Sequence, residues 1–150
     1  MNKYEKNKIL SYILCFITKE GHSRKTMKEI QGWLEDSVLA EDFTTFAKNN
    51  GVKIDLEDRD ARLDFKLFKD FLKNTIKKNI SIKLSSLEKK LLWITEIFNL
   101  SKNENKALGL LTRYNFNTEF ENFIDAIKPN RMRGFYIQDN HLSSCLQMRD

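Results

Sequence analysis

The stretch Gly21-His22-Ser23-Arg24-Lys25-Thr26 follows an apolar run and ends in Lys-Thr, as a phosphate-binding loop does. Such a loop needs glycine directly before the lysine and another about five residues earlier, so that bare amides can curl around the phosphates. Arg24 and Lys19 stand at those places, and both side chains would fill the loop. Nucleotide binding is therefore not expected, and Thr26 reads better as a helix cap. His141 and Cys145 stand four apart, which on a helix would put two zinc-ligand types on one face. Two ligands do not make a site, and no CxxC or HExxH spacing brings in Cys15 or His22. Cys15 itself lies on an apolar helical stripe, where a thiol serves as a small hydrophobe. Glu35–Asp36 and Glu41–Asp42 are adjacent carboxylates at helix ends, read as solvated charges that favour the helix dipole rather than as an acid/base pair.

One patterned set of charges remains. Arg59, Arg62, Lys66, Lys69, Lys73 and Lys77 recur every three or four residues. On a single helix they would fall within an arc of about 80° and extend roughly 27 Å. Such a stripe could follow phosphates or meet an acidic protein surface, although any amphipathic helix must also put its charges somewhere. The formal net charge of +5 adds little to a nucleic-acid reading, because no segment concentrates it. A helix-turn-helix reader is disfavoured as well. The helix near 118–127 would present Glu119, Glu121 and Asp125 to the duplex, and the one after Val38 would present Glu41 and Asp42.

The elements that carry these residues are helical. Ile9, Leu10, Ile13, Phe16 and Ile17 define a first helix over 3–18, which Gly21 stops. Thr26 and Glu29 form a T-x-x-E capping box before Met27, Ile30, Trp33 and Leu34. A helix over 38–48 presents Phe43 and Phe46 and ends at Asn49-Asn50-Gly51. Asp55 is the expected cap of a long helix running to about Asn79, acidic at its start and basic at its end. Ser85 with Glu88, and Ser101 with Glu104, make two more capping boxes. A last amphipathic helix over 118–127 carries Phe120, Phe123, Ile124 and Ile127 before Pro129. Trp33 and Trp93 both stand beside apolar stripes, so they read as core or boundary residues before they read as partner anchors.

The expected fold is all-α, a compact bundle of about six to seven helices with at most a minor extended segment near 52–56 or 135–137. Its 150 residues suit one domain, or a helical part over 1–80 followed by another over 81–150. With 31% charged residues and a single proline, the chain is neither collagenous nor highly charged and disordered. No apolar run is long enough to span a bilayer, and no cleavage signal follows the apolar stretch 9–17. Cysteines only at Cys15 and Cys145 fit a reducing cytoplasm. The end at Met148-Arg149-Asp150, without a capping glycine or proline, reads as that of a fragment.

Within 86–150 the order of residues resembles the helical segment that precedes the ATPase module of bacterial AAA-type ATPases. The likeness rests on Leu87, Leu91 and Trp93, the Leu100-Ser101 turn with Glu104, and then Ala107, Leu108, Leu111 and Arg113. It continues through Phe120 to Ile127, and His141 to Arg149 is similar to the short helix leading to the nucleotide-binding part. The resemblance implies a non-catalytic N-terminal recognition or regulatory domain acting by protein–protein contacts, with a protein or the adjoining ATPase module as partner. No catalytic residue, metal or cofactor of the family carries over, and Leu87, Leu91, Leu108 and Leu111 would be core. The alternative is a stand-alone basic helical protein that binds nucleic acid or another polyanion through the 59–77 stripe.

Overall fold

Ile9, Leu10, Ile13, Phe16 and Ile17 share one helical stripe, and helix α1 (Lys3–Thr18) buries all five. The computed structural model describes residues 2–18, 22–58, 62–78 and 83–127. Among them are seven helices and no strand: α1, α2 (Arg24–Asp36), α3 (Ala40–Asn49), α4 (Phe65–Lys78), α5 (Ser86–Ile97), α6 (Lys102–Phe116) and α7 (Thr118–Ile127). The chain is an all-α bundle. Val52, Ile54 and Leu56 link α3 to α4 without forming a strand. The stretches 135–137 and 141–148, with His141 and Cys145, lie outside the described residues.

Three helix starts differ from the sequence expectation, two because a better-placed oxygen caps the helix and one because a serine closes the turn before it. Ser23, not Thr26, caps α2, its Oγ accepting the Thr26 amide at 3.1 Å. α3 starts at Ala40 rather than Val38, because Ser37 closes the intervening turn. The Ser37 Oγ donates to the Leu34 carbonyl at 2.9 Å and accepts the Leu39 amide at 3.2 Å. α4 begins at Phe65, ten residues past Asp55. The carboxylate of Asp64 takes the Lys66 and Leu67 amides at 2.9 and 3.0 Å, whereas Asp55 holds only the Glu57 amide in a local turn. Glu57, Asp58 and Asp64 therefore precede this helix instead of forming its first turns, and Asp60 lies outside the described residues.

Packing is organised around two aromatic groups. Phe43 of α3 meets Phe68 and Phe71 of α4 at ring-centre distances of 5.3 and 5.4 Å. Phe123 of α7 meets Phe16 of α1 at 5.8 Å and Trp33 of α2 at 4.9 Å, both edge to face. α1 lies against α4, α2 against α7, and α6 bridges α7 to α5. Fully burying a phenylalanine contributes about 1.5–3 kcal/mol, and five of them here are completely enclosed. α5 is the peripheral helix, with Leu91 its only buried residue.

Two helices end with a left-handed residue. Gly51, at φ +74°, closes α3, with its amide on the Lys48 carbonyl and the Val52 amide on the Ala47 carbonyl, both at 3.0 Å. Asn99, at φ 49°, does the same for α5, with the Leu100 amide on the Thr95 carbonyl at 3.0 Å. A methyl at Gly51 would meet no atom, so the cost of Gly51→Ala is the left-handed strain alone, about 1–2 kcal/mol. Gly32 lies inside α2, where an added Cβ also meets nothing, and Gly32→Ala should stabilise by up to about 1 kcal/mol through helix propensity. Urea denaturation of the two variants should shift the midpoint in opposite directions.

Candidate functional site

On α1, Glu5 and Lys8 share a face one turn apart. On α6, Gly109 and Arg113 stand in the same relation. Ser85 and Glu88 belong to the start of α5. Glu5, Glu88 and the Gly109 carbonyl converge on the Arg113 guanidinium, Lys8 and Ser85 join through the two glutamates, and Arg113 is only 2% exposed. Its Nε donates to Glu5 Oε2 at 2.7 Å and its Nη2 to Glu5 Oε1 at 3.1 Å, a two-pronged contact. Nη2 also reaches Glu88 Oε2 at 2.5 Å, and Nη1 donates to the Gly109 carbonyl at 3.1 Å. Lys8 completes the set by pairing with Glu88 Oε1 at 3.3 Å. Two cations thus face two carboxylates.

Ser85 joins both halves. Its Oγ accepts the Glu88 amide at 3.0 Å as the α5 cap and donates to Glu5 Oε1. The second capping box is consequently only half formed, because the Glu88 carboxylate turns to Arg113 and Lys8 instead of returning to the cap. The third is complete, with the Ser101 amide on Glu104 Oε2 at 2.7 Å. Burial alone would lift the Glu88 pKa, but the Arg113 hydrogen bond and the Lys8 charge hold it below the ordinary carboxylate value. Burial would likewise lower Arg113, and its two carboxylates keep it raised instead. Tyr4, next to the cluster, is pushed up to about 12 by burial and by the Glu88 charge.

This arrangement locks three helices together. What it positions is an exposed apolar face. α5 turns Leu92, Trp93 and Ile97 outward and ends in Phe98, with Trp93 63% and Phe98 69% exposed. Lys89, Lys90 and Glu96 are the exposed charges on the same helix. Trp33, by contrast, is buried against Phe123. The two tryptophans, indistinguishable in the sequence, have opposite environments.

Of the six basic residues proposed from spacing, four lie on α4. Lys66, Lys69, Lys73 and Lys77 share a face of α4 over roughly 17 Å. Arg62 precedes the helix, and Arg59 lies outside the described residues. Asp70 comes within 3.7 Å of Lys73 and breaks the row. His22, from the loop-like motif, closes on the end of α1, its Nε2 donating to the Phe16 carbonyl at 2.8 Å. Glu41 and Asp42 occupy the first turn of α3, as dipole-favoured charges should, but Glu35 and Asp36 sit at the C-terminal end of α2, where the dipole opposes them. Of the four leucines expected in the core, only Leu91 is fully buried. Leu87, Leu108 and Leu111 are half-buried, and Leu110 takes the innermost position on α6. Nothing in the sequence singled out the Arg113 cluster, although an arginine three residues after Leu110 occupies a core register.

Compared with family models, curated proteins and solved structures, the chain matches none.

Replacing Arg113 by methionine leaves Glu5 and Glu88 facing each other without their shared cation, and should cost about 3–5 kcal/mol in urea denaturation. Gly109→Ala tests the same site from behind. Its Cβ would lie 3.1 Å from Arg113 Nη1 and 3.4 Å from the Tyr12 hydroxyl. Because the carboxylates hold the guanidinium in place, the helix-propensity gain should be outweighed and the variant should lose about 1 kcal/mol.

Acid should act through Glu88. A carboxylate with a lowered folded pKa binds protons more tightly in the unfolded chain, so its stabilisation is complete above the ordinary carboxylate value of 4.5 and is lost as pH falls through the folded value. The melting temperature should drop between about pH 5 and about pH 3, with a shallower slope in Glu88→Gln.

Proposed function

We propose that this chain is a non-catalytic recognition or regulatory module that works by protein–protein contact through the outer face of α5. The observation that carries this reading is the exposure of Leu92, Trp93, Ile97 and Phe98 together on one helix, at an end of the fold braced by buried ion pairs. Aromatic anchors on a rigid element are what a protein interface uses, since little side-chain entropy remains to be lost on binding. The exposed charges on α5 are two lysines and one glutamate, so the partner should present an apolar groove with an acidic rim. Resemblance of 86–150 to the segment before bacterial AAA-type ATPase modules supports an ATP-driven engine as that partner, with this module localising or gating it in the cytoplasm.

The polyanion alternative has less support, because α4 carries four lysines of the row and Asp70 interrupts them. Among the described residues no helix is long and apolar enough to cross a membrane.

The test extends the reading frame beyond Asp150, expresses the ATPase module it encodes, and titrates that module into this chain while recording tryptophan emission. Trp93 is exposed and Trp33 buried, so docking on α5 should shift emission to shorter wavelength. Trp93→Phe should remove the shift, and Leu92→Asp should weaken binding at least tenfold. A reading frame without an ATPase module, or binding that ignores Leu92→Asp, would overturn the proposal.

A further inference from the structure

Helix α2 carries its charges against its own dipole. Its first turn holds Arg24 and Lys25 with no acid, and its last turn holds Glu35 and Asp36 with no base. Cations at a helix N-terminus are unfavourable, and Lys28 adds another one turn after Arg24. Among the described residues neither Arg24 nor Lys28 has an ion-pair partner within 4 Å. Arg62 arrives from the segment before α4 and adds a third cation to the same cleft, whose described lining residues include no carboxylate.

The three surround a cleft of about 180 Å³. Its remaining walls are apolar, made by Met27 of α2 together with Leu63 and Phe65. Leu63 is buried and Phe65 half-buried. The cleft is held in shape by Gln31, which is itself buried at its base. The Gln31 Nε2 donates to the Asp58 carbonyl at 3.2 Å, and its Oε1 accepts the Leu63 amide at 3.3 Å. One side chain thus fixes the backbone on both sides of Arg62 against α2. Apolar walls, a cationic rim and a fixed base are the elements of a site for an anion attached to an apolar body. A space of this size accommodates about one ring, since cavities near 150 Å³ take up benzene.

We propose that the cleft between α2 and residues 62–65 binds a small organic anion, a monocyclic or short-chain phosphate monoester or carboxylate. The apolar part lies on Met27, Leu63 and Phe65, and the anionic group is held by Arg24, Lys28 and Arg62. The site is separate from the α5 face and stands whether or not that face docks a protein.

Amide chemical shifts of the full chain, recorded during titration with phenyl phosphate, benzoate, inorganic phosphate and phenol, test it. Saturable shifts should appear for Met27, Lys28, Leu63 and Phe65 with phenyl phosphate or benzoate, and the tighter of the two assigns the anionic group. Inorganic phosphate and phenol should each bind at least tenfold more weakly, because each lacks one half of the recognised chemistry. Arg62→Gln and Lys28→Gln should each weaken binding at least threefold, and together at least tenfold. Both residues are exposed, so the variants should not lower the parent melting temperature. No saturable shift at these amides, binding unchanged in the double variant, or inorganic phosphate binding as tightly as phenyl phosphate would overturn the assignment.

Discussion

Taking a guanidinium out of water costs several kcal/mol unless its donors are met by well-placed acceptors. Arg113 sets this condition for the whole α5–α6 end of the bundle. Its donors go to Glu5 on α1, Glu88 on α5 and a carbonyl within α6, so these helices must keep their separation and register together. Lys8 offsets the second carboxylate and leaves the cluster neutral in sum. The apolar core alone would not fix α5, which buries a single leucine. Directional contacts do what oily contacts here are too few to do, and α5 is held firmly while most of its apolar surface remains outside.

The rest of the bundle works in the opposite way. Between α3 and α4, and between α1, α2 and α7, interlocked aromatic rings exclude water without help from charges. Edge-to-face packing of Phe43 on Phe68 and of Phe16 on Phe123 fixes orientation as well as distance. The molecule thus divides its labour: ring packing supplies stability for α1–α4 and α7, and an ion network supplies geometry for α5 and α6. Among the described residues, the Trp33 Nε1 is buried without a hydrogen-bond partner and costs stability.

Much of this fold was legible in the sequence where hydrophobic period and capping acted together. All five core residues of α1 and all four of α7 follow from spacing, because a helix with one apolar face against a core has only one way to turn. Boundaries were harder. Thr26 and Asp55 both satisfy the local rule for a cap, but Ser23 and Asp64 satisfy it too, and a local rule cannot rank two nearby oxygens. That choice follows from where the chain must leave α1 and enter α4. The Arg113 cluster was illegible for a different reason. Glu5 lies 108 positions away, and no periodicity connects residues so distant. Only the misfit of an arginine in the register of Leu110 hinted at it. Capping logic even pointed Glu88 the wrong way, toward its own helix, because Arg113 and Lys8 are stronger partners than an amide.

On α2 the difficulty lies in which end of the helix a charge pair occupies. Adjacent carboxylates at 35–36 and 41–42 are equivalent by composition, yet one pair sits at a helix end that repels it and the other at an end that welcomes it. A helix charged against its dipole at both ends loses stability that simple exchange of charges would recover. Glu35 and Asp36 border a second, larger cleft of about 810 Å³ with Glu29, Glu119 and Asp125, and Lys28 and Gln31 line both this mainly acidic cleft and the basic one. Separation of charge along one rigid helix maintains two surfaces of opposite sign on a small fold, and it gives charged partners distinct places to approach. The stability given up along α2 and the apolar surface left open along α5 are departures of the same kind, each from what folding alone would select. Both lie on helices whose backbones are firmly held, by Gln31 in one case and Arg113 in the other, and a binding surface needs that combination of unsatisfied chemistry on a fixed frame.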